Sequence, residues 1–295
     1  MIDPMKTFSL PALVSAAFLF AGCATTEQEP TVLAEARSHS RDGNEAYREG
    51  RLDDSREAYG RALEIHRSVD HPEGIIRDLI NLAVVSEAHG SPADAADCLD
   101  AIDRYMLTLR SSGEKSPSSR DLNELLREAG WMRAYLHADA GNTPAARRAL
   151  TTTLQNYGPA GRKQRGRFLN LEARLDLEDG NAASALTKAR QGLKANQRSD
   201  HRREVADSHR IIGRALIPIG DPSAAHQAFT SALELDRKQG RPDKVVDDLL
   251  GMARASQAAG NPAEARAAAD RAIIAARSSG NPAAQAEATR FRQRL

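Results

Sequence analysis

The sequence contains little that would build a disulfide framework, an aromatic core or a surface of one charge. Only two of its 295 residues are cysteines, Cys23 and Cys98, which excludes a fold held by several disulfides. Lys and Arg number 41 against 40 Asp and Glu, so the net charge does not indicate nucleic-acid binding. Aromatic residues make up 4%, and no segment shows the sustained apolar-polar alternation of a strand. With abundant alanine, the best helix former, these absences predict an all-α protein.

Motifs of catalytic and metal sites are also missing. The eight histidines include no pair four residues apart, and neither His-Glu-x-x-His nor Gly-x-Ser-x-Gly occurs. Residues 111–119, SSGEKSPSS, lack the spacing of a phosphate-binding loop and are predicted to be a connecting loop. We therefore expect no enzymatic activity, no cofactor, no metal, no small-molecule substrate and no nucleic-acid partner.

Two further features have structural interpretations. Cys98 lies in a segment of helical apolar pattern and has no visible activating group, so it is predicted to be a small buried hydrophobe. The pairs Asp53–Asp54 and Asp247–Asp248 are predicted to lie near helix starts, where negative charge is favourable.

The N-terminal segment is typical of an export signal. Lys6 precedes a mostly apolar run over residues 8–21, shorter than the roughly 20 residues that a membrane span needs. Phe-Ala-Gly-Cys at residues 20–23 resembles the lipobox of bacterial lipoproteins. The resemblance implies removal of residues 1–22, lipidation of Cys23 and a polar spacer over residues 23–31. Ala24, which follows the cysteine where an aspartate would favour retention, implies the outer membrane facing the periplasm. A secretory signal with an incidental cysteine is the alternative, and translation from Met1 or Met5 is left open.

Glycines recur at an interval of about 40 residues after the signal. They occupy positions 50, 90, 141, 180, 220 and 260, followed by words such as GSPADAAD and GNPAEARAAA. Glycine ends a helix, Ser, Asn or Asp caps the next, and proline fits its first turn, so each word predicts a turn between two helices. Small residues lie seven places before each glycine and five places after it, which predicts close helix crossings.

This pattern resembles the tetratricopeptide repeat, with aromatic residues at Tyr59 and Phe229 and alanines at Ala62, Ala232 and Ala272 matching further repeat positions. The resemblance implies a right-handed superhelical solenoid of about six helix hairpins over residues 32–280, closed by a capping helix over 281–295. The units are predicted near residues 36–69, 76–109, 127–158, 166–197, 206–239 and 246–279.

The resemblance also implies that the first helix of each unit faces a concave groove. One groove position carries Arg174, Arg214 and Arg254 in successive units and Tyr135 in the unit before them. The other candidate partner-binding residues are Tyr47, Trp131, Arg167 and Arg210. Residues 31–130 hold 13 basic and 20 acidic side chains, whereas residues 159–215 hold 13 basic and 7 acidic ones. This polarity predicts that the groove of units 3 to 6 binds an acidic segment of another protein.

The sequence therefore predicts a non-catalytic scaffold or adaptor lipoprotein of the cell envelope, with an unidentified envelope protein as partner and a lipid anchor in the membrane. A self-assembling structural homo-oligomer and a binder of an anionic cell-wall glycan are the alternatives. For the site itself, the alternative interpretation is that the arginines pair with neighbouring acids, for which Asp207, Glu178 and Asp247 are available, and that Trp131 is a core residue.

Overall fold

The computed structural model describes residues 31–111 and 119–295, and all regular structure within these ranges is α-helical. The helices form six consecutive pairs, called units 1 to 6, and a last helix that follows the sixth pair. The pairs are α1 (Thr31–Arg48) and α2 (Leu52–Ser68), α3 (Pro72–Ala88) and α4 (Pro92–Ser111), α5 (Arg120–Asp139) and α6 (Thr143–Tyr157), α7 (Arg165–Glu178) and α8 (Ala182–Arg198), α9 (Arg202–Ile219) and α10 (Pro222–Lys238), and α11 (Pro242–Ala258) and α12 (Pro262–Ser278), followed by α13 (Pro282–Gln293).

The turns within the pairs follow the chemistry predicted from the sequence. All six repeat glycines adopt positive φ angles, for example 80° at Gly90 and 91° at Gly220, a conformation that costs glycine no steric strain. Asn142 and Asp221 cap the next helix with their side chains. The predicted side-chain cap is absent at Asn181 and Asn261, where the backbone carbonyl alone accepts the first helical N–H.

The small residues predicted to mark close helix crossings are all buried: Gly43, Ala83, Ala134, Ala173, Gly213 and Ala253 before the glycines, and Ser55, Ala95, Ala146, Ala185, Ala225 and Ala265 after them. Phe229 shows why their size matters. Its ring lies so close to Gly213 that a Cβ added there would be 2.8 Å away, and Tyr59 approaches Gly43 equally closely. The small side chains therefore let the two helices of a unit approach each other.

Units stack because the second helix of one packs against the first helix of the next, as α2 does on α3 and α10 on α11. Apolar side chains along this stack form clusters that run from unit to unit, the largest spanning units 4 to 6 and α13. Unit 3 is attached differently, since α5 contacts α3 more extensively than α4, and a cleft of about 590 Å³ opens between α4, α5 and α6. Most of the Ser-rich loop predicted here, residues 112–118, lies outside the described residues.

Three sequence positions recur at the junctions between units, and they carry polar side chains at three of those junctions. The positions lie ten residues before and 16 residues after the repeat glycine of one unit, and 12 residues before the glycine of the next. We call each set a junction triad. The polar triads are Ser40–His66–Asp78, Asn170–Asn196–Ser208 and Arg210–Asp236–Asp248, whereas the triads at the other two junctions are apolar or aromatic: Ile80–Met106–Ala129 and Trp131–Tyr157–Phe168.

Candidate functional site

The candidate site is the surface formed by the first helices of units 3 to 6. Most of the predicted residues line one cavity there, of about 330 Å³: Trp131, Tyr135, Arg167, Arg174, Arg210 and Arg214. A neighbouring cavity of about 340 Å³ shares Arg210 and Arg214 and adds Arg254. Tyr47 is half-buried on α1 in unit 1 and lines neither cavity. The structure therefore brings together seven of the eight predicted partner-binding residues, along a continuous strip of four units.

Two aromatic rings hold two of the arginines in this strip. Trp131 and Tyr135 stack with ring centroids 5.5 Å apart, as residues one helical turn apart on α5 can. The Arg167 guanidinium lies 5.1 Å from the Trp131 ring centroid, and that of Arg174 lies 5.8 Å from the Tyr135 ring centroid, both within cation–π range. Trp131 also donates its indole N–H to the Arg167 carbonyl at 3.3 Å and packs against the apolar clusters beneath. The rings thus serve as a platform for arginine and as part of the core.

Tyr135 also connects the groove to unit 2. Its hydroxyl donates to Glu87 at 3.4 Å, and Glu87 lies within electrostatic reach of Lys244 on α11. Burial and the nearby Asp139 carboxylate raise the pKa of Glu87, while burial and the charge of Glu87 raise the pKa of the Tyr135 hydroxyl. Tyr135 therefore links a charged group of unit 2 to the groove of units 3 to 6.

The arginines that recur once per unit are paired with acids of the preceding unit or, for Arg254, of α13. Arg214 lies 3.0 Å from the Glu178 carboxylate, and Arg254 lies 2.6 Å from that of Glu287. The side chains of these two pairs are 44–49% exposed, so each pair contributes only about 0–1 kcal/mol.

Arg174 and Arg167 are held more tightly than the two exposed arginines. Arg174 donates to the Ala138 carbonyl at 3.1 Å and contacts Asp139 at 3.3 Å, and its side chain is 25% exposed. Arg167 pairs with Glu128, and both of these side chains are 21% exposed. Burial lowers the pKa of Arg167 to about 10, although Glu204 acts in the opposite direction.

Arg210 lies deeper than the rest of the strip and belongs to a network of charges. Its guanidinium donates to Asp207 at 2.6 Å, to Asp248 at 2.8 Å and to Asp236. Arg241 contacts Asp236 at 3.2 Å and Asp207 at 3.4 Å. Asp236 and Asp248 are fully buried, and the Arg210 side chain is only 12% exposed. We call these five side chains the Arg210 cluster.

The cluster corrects part of the sequence interpretation. Asp53 and Asp54 occupy the first turn of α2 as predicted, but Asp248 lies in the second turn of α11 and is buried against Arg210. Asp247, which was considered as an arginine partner, contacts Lys244 at 3.4 Å instead. Glu178 and Asp207 do pair with arginines. A signal for the buried acids was present in the repeat, because Asp236 and Asp248 stand at junction positions that are apolar or aromatic at the two junctions flanking unit 3.

A further buried acid, Asp78, was also missed at the junction of units 1 and 2. His66 Nδ1 lies 2.7 Å from the Asp78 carboxylate, and the Ser40 hydroxyl donates to Asp78 at 3.1 Å. The His66 and Asp78 side chains are 4% and 0% exposed, and burial raises the pKa of Asp78 although His66 opposes this. The imidazole and the carboxylate are bound to each other and shielded from solvent, so this triad is interpreted as a structural contact.

The remaining predictions concern residues elsewhere. Cys23 and the predicted signal segment lie outside the described residues. Cys98 is half-buried against the apolar cluster of units 1 to 3, and burial raises the pKa of its thiol. Within residues 31–111 and 119–295, no helix is apolar and long enough for a membrane span, and no group of three or more His, Cys, Asp or Glu side chains is arranged to hold a metal ion.

Comparison with known proteins finds similarity in fold alone. No protein-family model matches the sequence, and no curated protein matches it. A solved Rap protein complexed with competence and sporulation factor superposes with a TM-score of 0.60 at 14% identity, over 83% of this chain and 66% of its own length. The tetratricopeptide-repeat sensor protein of the STAND ATPase class from Pyrococcus horikoshii gives 0.59 at 14% identity, over 90% of this chain and 38% of its own length.

A third similar structure, BtubC from P. vanneervenii, gives a TM-score of 0.53 at 17% identity, over 85% of this chain and 93% of its own length. The chain thus spans just under two thirds of the Rap protein and a smaller part of the STAND protein. These likenesses and the stacked helix pairs confirm the predicted all-α, tetratricopeptide-like solenoid.

Proposed function

We propose that the protein is a non-catalytic adaptor whose groove over units 3 to 6 binds an acidic segment of a partner protein. The observation that carries the proposal is the arginine row, Arg174, Arg214 and Arg254, which places one guanidinium per unit along a continuous surface. The Rap structure contains a bound competence and sporulation factor, which supports a ligand-binding role for this kind of fold.

Binding would proceed by exchange of ion-pair partners. In the free groove, Glu178 and Glu287 occupy Arg214 and Arg254, but these half-exposed pairs are weak. A carboxylate of the partner that displaces such an acid gains a charge-assisted hydrogen bond of about 1.5–3 kcal/mol as the interface loses water. The stacked Trp131 and Tyr135 rings would support the end of the segment, since Trp, Tyr and Arg dominate binding energetics in interfaces.

The roles within the strip differ. Arg214 and Arg254 are the residues most available for exchange, because their side chains are nearly half-exposed. Arg174 is held against Tyr135 and Asp139, so it would contribute a positioned charge. Arg210 is bound on three sides by acids and is assigned to the groove wall rather than to partner contact.

A fluorescent hexaglutamate peptide tests the groove directly. We expect it to bind the protein, and we expect the triple variant Arg174→Glu, Arg214→Glu, Arg254→Glu to weaken binding at least about 100-fold, since two or three charged hydrogen bonds are lost. Fluorescence anisotropy measures both affinities. Glu178→Gln should instead strengthen binding, because it removes the internal competitor for Arg214.

The matched control reverses three exposed arginines on the second helices of units 4 to 6, Arg190, Arg237 and Arg277. This control changes the net charge equally but leaves the groove intact. If both triple variants weakened peptide binding equally, the affinity would depend only on net charge, and the proposal that the peptide binds in the groove would be refuted. Light scattering that shows a tight oligomer, or capture of cell-wall fragments without protein, would favour the self-assembly or glycan alternatives.

We also propose that the adaptor is tethered to the outer membrane by lipid on Cys23, which the lipobox resemblance supports. Several acyl chains would be needed, because one chain alone gives only marginal membrane binding. Metabolic labelling with a fatty-acid analogue should mark the wild-type protein and the Cys98→Ser control, and should fail on Cys23→Ser. Labelling of Cys23→Ser would contradict the anchor.

A further inference from the structure

The Arg210 cluster contains two buried carboxylates that are only half-satisfied. Arg210 donates to one oxygen of Asp236 and to one oxygen of Asp248. The other oxygens, Asp236 Oδ1 and Asp248 Oδ2, are buried and accept no hydrogen bond, although Arg241 lies 3.2 Å from the former without hydrogen-bond alignment. An ionised carboxylate in such a position carries a large desolvation cost.

The charges around these carboxylates do not balance when all groups are ionised. From α9 the facing groups are Asp207 and Arg210, from α10 Asp236, and from the start of α11 Arg241 and Asp248. Three carboxylates thus face two guanidiniums. Lys244 is nearby on α11, but Asp243 and Asp247 contact it at 3.5 and 3.4 Å, so it adds no net positive charge to the cluster. One bound proton would bring the cluster to zero net charge.

We infer that Asp236 and Asp248 share one proton in the folded protein, and that this proton makes the junction between units 5 and 6 a pH-dependent joint beneath the groove. Both carboxylates are bound to the same guanidinium, that of Arg210, which brings them together so that a protonated carboxyl can donate to its ionised neighbour. The proton thereby removes one buried charge and gives the pair an internal hydrogen bond. The inference does not depend on which partner the groove binds.

The direction of the titration agrees with this arrangement. Burial raises the pKa of both carboxyls, to about 8 for Asp248, while Arg210 opposes the rise at each. A carboxyl whose pKa is higher in the folded chain than its value of about 3.9 in the unfolded chain stabilises the fold most at low pH. That contribution falls as the pH rises from the unfolded to the folded value, so the joint weakens between weakly acidic and weakly alkaline pH.

The joint would act on the groove because its members line it. Arg210, Arg241 and Asp207 all contribute to the wall of the first cavity, and Arg210 also lines the second. When the shared proton leaves, two ionised carboxylates repel each other below Arg210, and the α10–α11 contact loosens. The spacing of the groove between units 5 and 6 would then depend on pH.

Infrared spectroscopy of the full protein tests for the proton itself. At about pH 6, where an ordinary Asp is ionised, the wild type should show the C=O band of a protonated carboxyl. The band should vanish in Asp248→Asn and in Asp236→Asn, and should persist in Asp78→Asn, which removes the buried acid of units 1 and 2. Absence of the band in the wild type, or its persistence in both cluster variants, would overturn the inference, and the wild-type spectrum decides even where a variant fails to fold.

Urea unfolding tests the joint. We expect the folded state to retain one proton more than the unfolded state. The wild-type unfolding constant should therefore increase about tenfold for each unit by which the pH rises between about pH 5 and pH 7, measured relative to Asp248→Asn. Asp247→Asn is the matched control, because it removes the neighbouring but half-exposed carboxylate on the same helix, and it should keep the wild-type slope. The inference fails if Asp248→Asn follows the same pH dependence as the wild type.

Discussion

The junction between units 1 and 2 and the junction between units 5 and 6 place polar groups at the same three positions, with different consequences. At the first, Asp78 accepts from Ser40 and contacts His66, and the triad is closed off from every cavity described above. At the second, Arg210 joins two buried acids and continues into the groove wall. The comparison shows that the solenoid accepts charge at a junction when each group finds a partner there.

The Asn170–Asn196–Ser208 triad at the junction of units 4 and 5 is also polar, but it is uncharged. Ser208 donates to Asn170 at 2.9 Å, and Asn196 donates to Ser208 at 3.2 Å, with no ionisable group among the three. The same geometry can therefore hold a neutral chain of hydrogen bonds, an acid with a histidine, or an arginine with two acids. What differs is how far the free energy of unfolding falls when one partner is removed from each junction.

The largest loss is expected at the junction of units 5 and 6. Arg210→Met should lower the free energy of unfolding by about 3–5 kcal/mol, because it leaves two fully buried acids with Arg241 alone. Urea denaturation measures the change. Arg214→Met is the control on the same helix, and its half-exposed ion pair should account for about 0–1 kcal/mol. Equal losses in the two variants would mean that burial of the cluster has no energetic consequence.

A smaller loss is expected at the junction of units 1 and 2. His66→Leu should lower the free energy of unfolding by about 1–3 kcal/mol near neutral pH. The loss is smaller here because Asp78 still accepts the hydrogen bond from the Ser40 hydroxyl and can take up a proton. Without His66 to oppose burial, the pKa of Asp78 rises further, so the variant should become relatively more stable as the pH falls. Urea unfolding at about pH 5 and about pH 7 checks this sign.

The control for that variant is His39→Leu, the same substitution at a partly exposed position in unit 1, where His39 lies 3.9 Å from Glu35. It should change the free energy of unfolding by no more than about 0.5 kcal/mol. A comparable loss from both histidine variants would remove the distinction between a buried triad and a surface contact.

Much of the candidate site could be predicted because the groove positions follow the repeat. Arg174, Arg214 and Arg254 stand at the same place in successive units, and equivalent positions in a solenoid share one face. The burial of each arginine and the acids that it contacts could not be predicted in the same way. Arg210 and Arg214 are one helical turn apart, yet the first is bound to buried acids and the second to an exposed one.

The sequence by itself determined the helices, the turns and the small residues between them. Each depends on a short stretch of sequence: a glycine that permits a left-handed turn, a proline in a first helical turn, and one small residue on each helix of a pair. Only the tertiary structure decided which polar groups meet, because the partners at a junction are 12, 26 or 38 residues apart. Their charge and burial depend on how the units stack, and this dependence made Asp248 a buried acid beneath the groove rather than a charge at a helix start.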